Sequence, residues 1–79
     1  MYRTRVLHKN GTWIYLERIG ECKYEVTVLG WIAGVVWRVN PHLWNGSYLD
    51  DRRVKGATMS DTARNLVDIF FEKGVYKTG

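Results

Sequence analysis

The stretch "VLHKNGTWIYLERIGECKYEVTVL", residues 6–29, decides the fold, because it holds two turns and the strands they join. Asn10-Gly11 sits between two β-type runs and is the strongest short-range hairpin signal. Gly20-Glu21 follows the second run and suits a type II′ turn. In the third run, Tyr24, Val26 and Val28 alternate with Lys23, Glu25 and Thr27, the period of a strand buried on one side. Read as two-residue turns, the two signals set Val6 opposite Tyr15, and Tyr15 opposite Val26. One face then carries Val6, Trp13, Tyr15, Tyr24, Val26 and Val28, joined by Trp37, and is expected to be the core. The other carries Arg3, Arg5, Leu7, Ile14, Leu16, Arg18 and Lys23, with Glu25, Thr27 and Leu29. A one-residue bulge in either turn exchanges these faces and puts Trp13 and Tyr15 outside among basic residues.

Working outward, "GWIAG" (30–34) reads as a glycine-bounded turn, and "VVWRVN" (35–40) as a fourth strand stopped by Pro41. Asn45-Gly46 suggests a short extra hairpin over 42–49, with Trp44 and Tyr48 paired across it. Near residue 58 the period changes to that of a helix, which is expected to start at Thr58 or Ser60. Ala63, Leu66, Val67, Phe70 and Phe71 share one helical face, and Arg64 and Asp68 are spaced to pair. Thr58 with Asp61 resembles a capping box, and Gly74 suits the residue after the helix. The expectation is an α+β fold: an antiparallel four-stranded meander, the extra hairpin, and one C-terminal helix on one face. A single domain over residues 1–79 is expected, without an internal repeat.

Composition narrows the function classes. Twelve basic residues against eight acidic ones give a net charge of +4, which permits an acidic or nucleic-acid partner without requiring one. The single cysteine, Cys22, allows no internal disulfide. Cys22, His8 and His42 lack metal-site spacing, and no glycine-rich phosphate loop is present, so neither a metal nor a cofactor is expected. The opening "MYRTRVLHK" is basic but lacks an apolar run, and no apolar stretch reaches the length of a membrane span. No membrane association is expected, and the cytoplasm is the expected compartment. Asp50-Asp51-Arg52-Arg53 reads as a solvated charge cluster rather than an acid–base pair, so no enzyme is expected.

What remains is binding. An aliphatic strip rimmed by arginines has the composition of a modest protein interface, and Trp, Tyr and Arg supply most interface hot spots. The expected contact set is Arg3, Arg5, Leu7, Ile14, Leu16, Arg18, Lys23, Trp44, Tyr48, Arg52 and Arg53. On this reading Leu16→Glu abolishes partner capture and leaves the fold intact. The expected function is stoichiometric contact with a protein that has an acidic or nucleic-acid-binding surface. A second copy of the chain is a further partner of the same kind. In size and style the chain is similar to small accessory proteins of phages and mobile elements, some of which inhibit a host or defence protein, anti-CRISPR proteins among them. That likeness is carried by no stretch of the sequence. The alternative is direct nucleic-acid binding by a basic sheet face and loop.

Overall fold

The computed structural model describes residues 3–74. Six antiparallel strands follow one another in chain order across a single sheet: β1 (Arg3–Leu7), β2 (Trp13–Gly20), β3 (Lys23–Val28), β4 (Trp31–Asn40), β5 (Leu43–Tyr48) and β6 (Arg53–Gly56). One helix, α1 (Met59–Lys73), packs on one face. The α+β class and the C-terminal helix agree with the sequence reading; the strand number does not.

The first correction comes from the Asn10-Gly11 turn. His8 N–H donates to the Thr12 carbonyl at 2.8 Å, and Gly11 N–H donates to the His8 carbonyl at 2.9 Å. The loop is therefore Lys9-Asn10-Gly11, three residues long, with Gly11 left-handed at φ 89°. This is the turn-plus-bulge hairpin, in which glycine supplies the left-handed position. The extra residue sets Val6 opposite Ile14 instead of Tyr15. The second turn moves as well: Gly20 pairs with Lys23 around Glu21-Cys22, and a bulge follows between Arg18 and Gly20. Both shifts act on β2 and turn it over relative to the expectation; in β4, Trp37 also departs from it, since it pairs with Lys23 on the face away from the core while Val36 points inward. Ile14 and Leu16 are fully buried, while Trp13 and Tyr15 are each 40% exposed.

The second correction concerns residues 30–56. Only Leu29 and Gly30 form the β3–β4 turn, both with positive φ, and Gly34 lies within β4. Asn45-Gly46 is no turn, because it lies inside β5. Trp44 faces Arg38 and Gly56, and Tyr48 faces Gly34, so these two rings do not pair across a hairpin. A Cβ on Gly46 would stand 3.1 Å from Val36 Cγ1 and 3.3 Å from Thr62 Cγ2. Glycine is used here for close packing under the helix. The reversal expected at 45–46 falls instead at Pro41-His42 and at Leu49-Asp50-Asp51.

The register repeats. Val6 faces Ile14, Val26 faces Gly34 and Gly46 faces Val54, each pair 20 residues beyond the last. Leu16–Val26 and Val36–Gly46 advance by the same step, as do the two bulges after Arg18 and Arg38. The sheet is three hairpins in tandem, contrary to the expectation of no repeat.

Helix α1 begins at its N-cap Thr58, whose hydroxyl accepts from Asp61 N–H at 3.1 Å, and ends at left-handed Gly74. Thr62, Ala63, Leu66, Val67 and Phe70 are buried against Val6, Ile14, Leu16, Val26, Val28, Val36 and Tyr48. Arg64 does not pair with Asp68; it meets Asp61 at 3.3 Å and donates to the Leu7 carbonyl at 2.9 Å. Asp68 instead accepts from His8 at 2.6 Å on the β1 edge. At the other edge Lys73 reaches Asp50 at 2.7 Å and Arg52 reaches Glu72 at 3.2 Å. A helix about 10–12 Å across thus holds both margins of a sheet that laid flat would span about 24 Å. The sheet curls around the helix, and its other face is convex.

Candidate ligand-binding face

The convex face carries no covering element among the described residues. Its side chains follow from the corrected register. Leu7 faces Trp13, and Arg5 faces Tyr15, which continues to Thr27 and Ile32. A row from Arg3 through Glu17, Glu25, Val35 and Ser47 to Arg53 crosses all six strands. Below it run Lys23, Trp37, Asn45 and Lys55. Leu7, Trp13, Tyr15 and Ile32 are each 40–48% exposed. The Arg5 guanidinium stands 4.2 Å over the Trp13 ring, and that of Arg53 stands 5.7 Å over Trp37. Shallow hollows adjoin both groups: one of about 350 Å³ is lined by Arg3, Thr4, Arg5 and Tyr15. Another, of about 360 Å³, is lined by Glu21, Cys22, Lys23, Trp37 and Arg38.

The charge is distributed unevenly. The chain has twelve basic and eight acidic residues, and all but Lys77 fall within 3–74. The convex face takes five of the eleven basic residues (Arg3, Arg5, Lys23, Arg53, Lys55) and two of the eight acidic ones (Glu17, Glu25). Six of each remain elsewhere, so the whole excess of positive charge among the described residues lies on this face. Elsewhere the charges are largely consumed in pairs: Lys9–Asp68, Arg64–Asp61, Arg52–Glu72 and Lys73–Asp50. The Lys73 ammonium, then the Arg52 backbone N–H, hold the Asp50 carboxyl below its ordinary range. On the face itself, Arg3 and Glu17 approach to 3.7 Å at the surface, a contact of little energetic weight.

Of the expected contact residues, the structure brings Arg3, Arg5, Leu7, Lys23 and Arg53 onto this one surface. Ile14, Leu16 and Tyr48 are buried in the core and not on this surface. Arg18 lies on the helix side opposite Tyr24, its Nε donating to the Gly20 carbonyl at 3.2 Å. Arg18 is therefore on the opposite face from Arg3 and Lys23, with which it was expected to share one. Trp44 is half-buried on the helix side, 6.2 Å from the Tyr24 ring, and caps that end of the core. Arg52 is occupied by Glu72 and Asp50. Trp13 and Tyr15 stand outside, as the bulge alternative has it, and Trp37, expected in the core, joins them there with Lys55. The missed signal is side-chain type: Val6, Ile14, Leu16, Val26 and Val28 make a uniformly aliphatic face.

Both ring nitrogens of His8 are engaged: Nδ1 accepts from Asn10 N–H at 3.2 Å, and on that assignment Nε2 donates to Asp68. The contact ties the first hairpin to the helix. Cys22 and His42 lie in separate loops. Among the described residues, no three His, Cys, Asp or Glu side chains are grouped to hold a metal ion, and no helix is long and apolar enough to cross a membrane. Compared with protein-family models, curated proteins and solved structures, the chain matches none.

Proposed function

We propose that the protein is a non-catalytic binding module whose convex sheet face takes single-stranded nucleic acid. The observation that carries this is the coincidence on one face of the excess positive charge and of Trp13, Tyr15 and Trp37. A ligand matching both features is anionic and bears flat apolar groups at intervals, which describes a strand of unpaired bases on a phosphate backbone. Aromatic rings stack on bases whatever their identity, while arginine and lysine meet the phosphates. A duplex hides its base faces, so it offers this surface only its phosphates. No reaction is part of this reading.

The test is a fluorescence-anisotropy titration with single- and double-stranded oligonucleotides over a range of salt. The expected result is preference for single strands and an affinity that falls steeply with salt. Trp13→Ala is expected to weaken binding by about 1–3 kcal/mol, the worth of one stacked base. A shallow salt slope, or binding indifferent to Trp13, contradicts the proposal.

A second reading is favoured by a separate observation. Leu7, Trp13, Tyr15 and Ile32 form an exposed apolar patch beside Arg3 and Arg5, a composition suited to a protein hot spot. An acidic protein surface is then the ligand, bound stoichiometrically, with an inhibitory or modulating role toward that partner. Absence of oligonucleotide binding at low salt moves the assignment to this reading.

A further inference from the structure

The convex face is not one uniform surface. Trp37 faces Lys23, which lies level with the Ile19–Gly20 end of β2, six or seven residues from Trp13. At the usual strand rise and with two strand spacings between β2 and β4, the two indoles lie roughly 23 Å apart. Around the first stand Tyr15, Arg3 and Arg5; around the second stand Lys23, Arg53 and Lys55. Between them Glu17 and Glu25 lie directly opposite each other on β2 and β3. Like charges so placed weaken the sheet slightly and repel a phosphate backbone. Each cluster has its own arginine–tryptophan contact, Arg5 on Trp13 and Arg53 on Trp37.

We infer that the face holds two separate nucleotide subsites, one at Trp13–Tyr15 and one at Trp37, divided by the Glu17–Glu25 bar, and that its ligand is a strand long enough to bridge them. This rests on the single-strand reading above. Each subsite alone is weak, because it offers little stacking area and few cations. A bridging strand gains from effective concentration, since its second contact is intramolecular. Affinity therefore rises in a step at the bridging length and not smoothly with each added nucleotide.

The experiment is a length series of oligodeoxythymidylates, from about 2 to about 12 nucleotides, titrated at fixed salt against the full chain. Wild type is expected to gain at least about tenfold in affinity over a narrow interval of length. Trp13→Ala and Trp37→Ala are each expected to abolish that step and leave the affinity of the shorter oligomers. Both positions are exposed in part, so an unchanged thermal melt confirms that the variants fold. Glu17→Gln with Glu25→Gln is expected to strengthen binding and smooth the step. Smooth length dependence in wild type, or a step that survives either tryptophan variant, overturns the two-subsite inference and leaves single-strand binding standing. Absence of binding at every length overturns both.

Discussion

At the scale of the residue, neighbours on β2 have opposite fates. Leu16 is fully enclosed beneath the helix, while Tyr15, one position earlier, stands on the convex face. Truncating the buried one leaves a cavity in a small core. Leu16→Ala is expected to cost about 2–5 kcal/mol, most of what a domain of this size possesses. Tyr15→Ala removes only cross-strand contacts and is expected to cost no more than about 1 kcal/mol. Urea melts of the two variants distinguish the corrected register from the one the turns first suggested, which predicts the reverse order. Leu16→Glu is now expected to unfold the chain and not merely to block a partner.

At the scale of the element, three-residue hairpin loops recur at both margins. Lys9-Asn10-Gly11 has its counterpart in Leu49-Asp50-Asp51, where Tyr48 N–H donates to the Arg52 carbonyl at 2.8 Å. In both, the middle side chain accepts from a backbone N–H two residues on: Asn10 from Thr12, Asp50 from Arg52. The second loop places Asp51 at φ 71° where the first has glycine. Asp51→Gly is expected to stabilise the fold by up to about 1 kcal/mol, measured by denaturant midpoint, because a side chain is strained there. Asp50 also binds the helix end through Lys73, and its carboxyl is held below the ordinary value of 3.8. A lowered folded value contributes stability that is present above the ordinary range and lost as pH falls through the folded one. Asp50→Asn is therefore expected to melt lower than wild type at neutral pH, with the gap closing below about pH 3.8. A gap independent of pH contradicts the pairing.

These elements were unequally legible. The helix and its caps could be read because Thr58, Gly74 and the apolar period act locally. Strands β1 to β3 were visible from alternation, but the facing of β2 depends on one loop residue that the letters Asn-Gly do not specify. Asn45-Gly46 misled because glycine serves two ends, a turn or a close approach, and only the helix overhead decides between them. The 20-residue repeat is carried by register more than by identity: Val6, Val26 and Gly46 share a place but not a residue. Half of the face could be read because Arg3, Arg5 and Leu7 keep their side whichever way β2 turns.

At the scale of the whole molecule, the charges off the convex face sum to zero among the described residues and are largely paired, and the convex face carries the unbalanced charge together with Trp13, Tyr15 and Trp37. A chain of this size gains nothing in folding from keeping Trp13, Tyr15 and Ile32 in water. Their placement together with five cations is the basis of the functional assignment. The most direct test is a two-dimensional NMR titration of the labelled protein with an oligodeoxythymidylate, following the tryptophan indole N–H signals. Trp13 and Trp37 report on the convex face, and Trp44 reports on the helix side. Large, saturable shifts at Trp13 and Trp37 with Trp44 unmoved are the predicted result. Shifts centred on Trp44, or none at any of the three, contradict the account.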